Sequence, residues 1–156
     1  YAAGKSRIRS IEIDDLASSM DHYHEGTWTP TLDFHTTAGS HTYSARSGYY
    51  IQIGSLVVAT FQILLSNLDT CAGIAGVKDL PKPVKVVTDI NWQGYLGYAD
   101  NFDVTANKDH VSLVAGPSDA QFRLYEHGNG GVASIQAGAF ANDSRFAGTL
   151  VYNTGS

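Results

Sequence analysis

From Gly26 onward, apolar and polar positions alternate along the chain. In "SLVVATFQILLS", Val57, Ala59, Phe61, Ile63 and Leu65 fall on one face of an extended segment, because strand side chains alternate with period two. All five are apolar, so this face is predicted to enter a core. The other face reads Leu56, Val58, Thr60, Gln62 and Leu64. It is too apolar to stand wholly in water, and cover by a loop or a neighbouring subunit is expected. "GYYIQIG" sets Tyr49, Ile51 and Ile53 on one face, and "RFAGTLVYN" alternates Phe146, Gly148, Leu150 and Tyr152. "VKVVTDINW", "HVSLVA" and "QFRLYEHG" add shorter runs, bounded by Gly, Asn, Asp or Pro. Turn signals recur at "TAGS", "NLDT", "LPKP", "ANKD", "AGPSD" and "HGNGG". The pattern predicts about eight or nine short strands, as in a sandwich or jelly roll.

"EGTWTPTL" reads as the first strand. Gly26 gives a sharp entry, the threonines suit a half-exposed β surface, and Trp28 is expected to cover one end of the core. Pro30 has no N–H to give a ladder, which suits an edge. Ahead of it lies the one helical pattern. Ile13, Leu16, Ala17 and Met20 fall at i, i+3, i+4 and i+7, with Asp14 and Asp15 near the start. "SRIRSIEI" before it partly alternates, as a shaft strand would. So short a helix needs a surface to dock on, either the following domain or copies of itself. The expected organisation is all-β: an antiparallel, jelly-roll-like β-sandwich over 26–156, preceded by a helical or shaft connector over 1–25.

Composition agrees. Of 156 residues only 16% are charged; Gly numbers 16, and Tyr (9) outnumbers Phe (6). This suits a turn-rich β domain. A net charge of −5 argues against a nucleic-acid partner, which needs clustered Lys and Arg. No apolar run is long enough for a membrane-spanning helix. No signal peptide opens the chain, and a start at "YAAGKS" without Met is expected for a fragment or processed product. The single cysteine, Cys71, has no partner within the chain. It reads as a small buried or half-buried side chain rather than a nucleophile. Stability must then come from packing or oligomerisation.

Five stretches occur in order: "DHYHEGTWTPTLDF", "TYSARSGYYIQIGSLVVATFQILLS", "GIAGVKDLP", "FRLYEHGNGGVASIQAGAF" and "SRFAGTLVYNT". This series, from about Asp21 to Thr154, resembles a C-terminal domain of bacteriophage tail fibres, tailspikes and neck appendages; "GTWTP" with "SGYYIQIG" is its most specific pair. The resemblance implies a β-sandwich head of a homotrimer on the virion. Such a head acts as an intramolecular chaperone for the upstream shaft of the same protein, contacts the host surface, or in some members is released by self-cleavage. The acidic pair usual before "GTW" is His24-Glu25 here, which weakens the self-cleavage reading.

Three constellations bear on chemistry. Self-cleavage would draw on Ser18, Ser19, Asp21 and Glu25, a hydroxyl and acid–base set; the plainer reading is a helix end and the turn out of it. His22 and His24 share one face of an extended strand. Three copies around a trimer axis would present six imidazoles to a transition metal, against a plain solvated lead-in; no other cofactor is expected. "NWQGYLGYADNFD" offers Trp92, Tyr95 and Tyr98 as flat apolar faces on a loop that Gly94 and Gly97 would open, with Asp100 and Asn101 to bond hydroxyls of a cell-surface polysaccharide. The competing reading puts those aromatics in the core or across a subunit interface. The leading expectation is an assembly and attachment protein without enzymatic activity; a carbohydrate-binding module is the alternative.

Overall fold

The computed structural model describes residues 23–104, 108–116 and 121–155. The predicted helix over Ile13–Met20 lies outside the described residues, as do Ser18, Ser19, Asp21 and His22. The strands are β1 (Tyr23–Trp28), β2 (Thr31–Phe34), β3 (Thr42–Ile53), β4 (Leu56–Asn67), β5 (Ala75–Lys78), β6 (Trp92–Phe102), β7 (Lys108–Ala115), β8 (Phe122–Gly128), β9 (Gly131–Ser134) and β10 (Phe140–Asn153). A 3-10 turn, Ala137–Ala139, precedes β10. The class is the expected one, all-β and antiparallel.

The strands form one sheet in the order β1-β3-β4-β10-β6-β7-β8-β5-β2, with β9 paired to β8. Its two ends, β1 and β2, are consecutive in sequence and joined only by Thr29 and Pro30. Laid flat, eight strand spacings would part them by about 38 Å. Two linking residues span at most about 11 Å. The sheet therefore curls until its ends meet. Pro30 sits buried in the link rather than inside a strand, so its missing N–H costs the sheet no hydrogen bond.

The curl encloses the core. Val57, Ala59, Phe61, Ile63 and Leu65 of β4 are all buried, as their alternation predicts. Phe146, Leu150 and Tyr152 of β10 stand beside them, and Leu32, Phe34, Val77, Leu113, Phe122 and Leu124 come from the other side of the curl. Ring contacts cross the gap: Phe122 to Tyr152 and Phe34 to Phe140, each at 5.6 Å between centroids. Each such side chain contributes about 1.5–3 kcal/mol on burial. Trp28 closes one end. Its Nε1 donates to Thr60 O at 3.1 Å and its ring meets Phe61 edge-on.

Two expectations need correction. "VKVVTDINW" is not a strand before Trp92; Val84 makes only an isolated bridge, to Thr154. Pro81 and Pro83 lack N–H donors, and Asp89 turns through a positive φ of 64°, so no regular ladder can run there. Instead the segment is strapped down. Tyr152 Oη donates to Lys82 O (3.0 Å), Lys85 N–H to Asn153 O (2.7 Å) and Trp92 Nε1 to Lys85 O (2.9 Å). Conversely, "NWQGYLGYADNFD" supplies a strand in mid-sheet, β6, between β10 and β7, where a glycine-opened loop was one expectation. Gly94 serves close packing: a Cβ there would meet Leu150 Cδ2 at 2.8 Å.

Candidate functional site

The outward face of β1-β3-β4-β10-β6 gathers most of the exposed apolar surface. Direct pairing places Tyr23, Ile53 and Leu56 in one row across the strands, and Glu25, Ile51, Val58, Val151 and Gln93 in the next. A third row holds Thr27, Tyr49, Thr60, Thr149 and Tyr95. Directly opposed side chains stand about 5 Å apart, so the rows are continuous. Tyr23, Tyr49, Ile53, Leu56, Val151, Tyr95 and Tyr98 are seven of the eleven large hydrophobic residues that are exposed among the described residues. Their concentration on one face sets it apart from scattered surface apolarity. This is the face whose apolar character stood out in β4. Leu56 and Thr60 are exposed there, and Val58, Gln62 and Leu64 are half-buried.

Glu25 lies within this surface. Its Oε2 accepts from Tyr23 Oη (2.6 Å) and Tyr49 Oη (2.7 Å). The two phenols hold its carboxyl below the ordinary value, and Glu25 in turn pushes Tyr49 up to about 12. A carboxylate so capped is ionised and is a poor proton donor. Of the self-cleavage residues only Glu25 is described, and it is engaged in this way.

At the other side of the face the sugar candidates separate. Tyr95 and Tyr98 stand together, because the register slips by one residue between Ala147/Tyr98 and Gly148/Leu96 and leaves Gly97 over. Both are exposed. Arg145 lies 5.4 Å over the Tyr98 ring and donates from Nη2 to Gln62 Oε1 at 3.2 Å. Tyr98 Oη donates to Asp100 Oδ2 at 3.4 Å, and Asp100 is the cross-strand partner of Arg145. A shallow groove of about 330 Å³ over Ser47, Tyr49, Thr60, Gln62 and Ala147 adjoins them. Arg145 and Gln62 join this surface by cross-strand pairing alone; in the sequence nothing links them to the "YLGY" stretch.

Trp92 and Asn101 do not join that surface. Trp92 alternates to the inward side of β6, is half-buried against the core, and spends its N–H on Lys85 O. Asn101 turns through a positive φ of 49°, with its N–H on Asp100 Oδ1. Its carbonyl accepts from the buried Ser144 hydroxyl, which in turn accepts from Ala141 N–H at 2.7 Å.

His24 pairs with Gln52 and alternates to the side away from Tyr23 and Glu25. Among the described residues no group of three or more His, Cys, Asp or Glu is placed to hold a metal; His22 lies outside them. Burial pushes the Cys71 thiol up, against nucleophilic activation.

The fold is also found in a phage tailspike protein. The structure superposes on the crystal structure of Dettilon tailspike protein (gp208) with a TM-score of 0.70 and 16% sequence identity, over 84% of this chain. The chain spans about a quarter (24%) of the length of that protein. No family model matches the sequence, and no curated protein matches it significantly.

Proposed function

We propose that this chain is the head domain of a trimeric phage tail fibre or tailspike. Its curled sheet is then a jelly-roll-like sandwich, carried on the virion and facing the host. Three copies associate through the outward face of β1-β3-β4-β10 and hold the upstream shaft of the same protein in register, which makes the domain an intramolecular chaperone for that shaft. No enzymatic activity is assigned to it. The observation that carries this reading is the tailspike fold over 84% of the chain together with the five ordered stretches that resemble fibre-tip domains. The apolar rows through Tyr23–Ile53–Leu56 and Ile51–Val58–Val151 support the assembly surface, since area of this kind drives association when covered.

Light scattering on the intact chain tests it. A native mass three times 16.7 kDa is expected, with Val58→Glu giving a folded species of one chain mass. A wild-type monomer at micromolar concentration overturns the assembly role of this face.

A second reading has its own observation. Tyr95, Tyr98, Arg145 and Gln62 form an exposed aromatic and polar surface beside a shallow groove, a mix that suits the CH faces and hydroxyl edges of a sugar. Loss of glycan binding in Tyr98→Ala with native mass unchanged favours it; unchanged binding removes it.

A further inference from the structure

On the far end of the strand order, β2, β5 and β8 point Leu32, Phe34, Val77, Phe122 and Leu124 into the core. Alternation therefore turns Asp33, Lys78 and Arg123 outward. The chain leaves β5 through Asp79 at a positive φ of 59° and continues as the 79–86 segment, whose Leu80 and Val84 pack against the core. Beside this segment lies a cleft of about 830 Å³, larger than the other clefts described, lined by Lys78, Lys82, Arg123, Gln121 and His35 on its polar side. Leu80, Pro83, Val84 and Val86 form its apolar wall, and Asp79 is the one carboxylate among the described lining residues.

Two features make this more than a surface hollow. The wall is fixed in place. Tyr152, a core residue, holds the Lys82 carbonyl; Asn153 and Trp92 hold Lys85 from both its backbone groups; and Pro81 and Pro83 restrict the turns between. A ligand would meet a surface already ordered, which lowers the cost of binding. The charge is also out of keeping with the rest of the molecule. Of the seven Lys and Arg among the described residues (Arg46, Lys78, Lys82, Lys85, Lys108, Arg123, Arg145), three line this one cleft, in a chain of net charge −5. Asp33 lies at its edge with its charge taken up by Lys78 at 2.6 Å, a contact that raises the Lys78 pKa and keeps it cationic.

We propose that this cleft binds the carboxylates of an acidic saccharide, one rich in uronic acid units. Lys82 meets carboxylates by charge-assisted hydrogen bonds, Gln121 meets hydroxyls, and the Leu80–Val86 wall takes the CH face of a ring. Among the described lining residues there is no Phe, Tyr or Trp, so charge rather than stacking sets its preference, for acidic over neutral sugars. The proposal rests on the head-domain reading for the source of the saccharide, a host surface. The cleft and the apolar rows lie on outward faces of opposite ends of the strand order.

The test titrates hexagalacturonate into the intact chain by calorimetry, beside its methyl ester, hexaglutamate and inorganic phosphate. Light scattering is run on the same samples. Binding of hexagalacturonate alone is expected, weakened at least about tenfold by Lys82→Glu and by raising salt from about 50 to about 200 mM. Lys108→Glu, on the β7 hairpin, should leave it unchanged. The Lys82 substitution spares the carbonyl that Tyr152 holds. Equal binding of the methyl ester overturns the proposal. So does tighter binding of hexaglutamate, displacement by phosphate at equal concentration, or indifference to Lys82→Glu. A trimer that does not bind refutes the cleft and leaves the head reading standing. A monomer that binds does the reverse.

Discussion

Trp28 and Gly48 face each other across β1 and β3, and the indole occupies the space a side chain at position 48 would need. A Cβ on residue 48 would stand 2.6 Å from Trp28 Cδ1. Gly48→Ala must therefore push the indole off Thr60 O and out of the core end. The expected loss is about 1–3 kcal/mol, read as a lower urea midpoint with an unchanged slope.

Ser144 is fully buried and bridges Ala141 N–H to the Asn101 carbonyl. It spans the irregular register between Phe140 and Arg145 on β10. Ser144→Ala leaves both backbone groups without that partner and is expected to cost about 2 kcal/mol. Ser66→Ala, which removes only an exposed hydroxyl pair with Thr42, should stay within about 0.5 kcal/mol. Chemical denaturation of the two variants gives the comparison.

The Glu25 cluster predicts a pH window. Glu25 has a depressed pKa, so its contribution is present above the ordinary value of 4.5 and is lost as pH falls below it. Tyr49 has a raised pKa, so its contribution is present below 10.0 and is lost as pH climbs towards about 12. Stability should decline at both limits. Glu25→Gln should flatten both slopes, because the same carboxylate takes part in both shifts. Urea midpoints of wild type and variant from pH 3 to 12 show this; parallel curves would refute it.

The aromatic residues of β6 should divide by face. Trp92→Phe removes the N–H that holds Lys85 O and is expected to cost about 1 kcal/mol and to loosen the 79–86 segment to proteolysis. Tyr95→Ala, on the exposed face, is expected to change stability by less than about 0.5 kcal/mol. Thermal melts and limited trypsin digestion separate the two.

Where the sequence was legible, one physical signal dominated. The β4 alternation identifies five buried residues because one face is wholly apolar, and Trp28 beside Pro30 marks an end of the core that needs covering. β6 was harder to read. Its Gly94, Gly97 and Asp100 look like loop residues, yet Gly94 answers close approach to β10 and Gly97 takes up a register slip, both of which depend on a partner about fifty residues away. The strap at 79–87 misled for the opposite reason: "VKVV" has strand propensity, but its hydrogen bonds go to Tyr152, Asn153 and Trp92 rather than to a neighbouring strand. Arg145 and Gln62 beside Tyr98, and Lys78, Lys82 and Arg123 around one cleft, come from separate strands and loops. Only the lysines of "VKDLPKPVK" hinted at the latter.

β10 pairs with β4 on one side and β6 on the other. On a ribosome every strand it joins is made before it. Until Phe140–Asn153 emerges, the blocks β1-β3-β4 and β6-β7-β8-β5-β2 have no ladder between them, although Thr29 and Pro30 already tether their outer ends. Closure of the domain is therefore a late, long-range event, slow in the manner of high-contact-order folds, and it acts as a timer. Nothing that depends on the closed sheet can begin while β10 is still being synthesised.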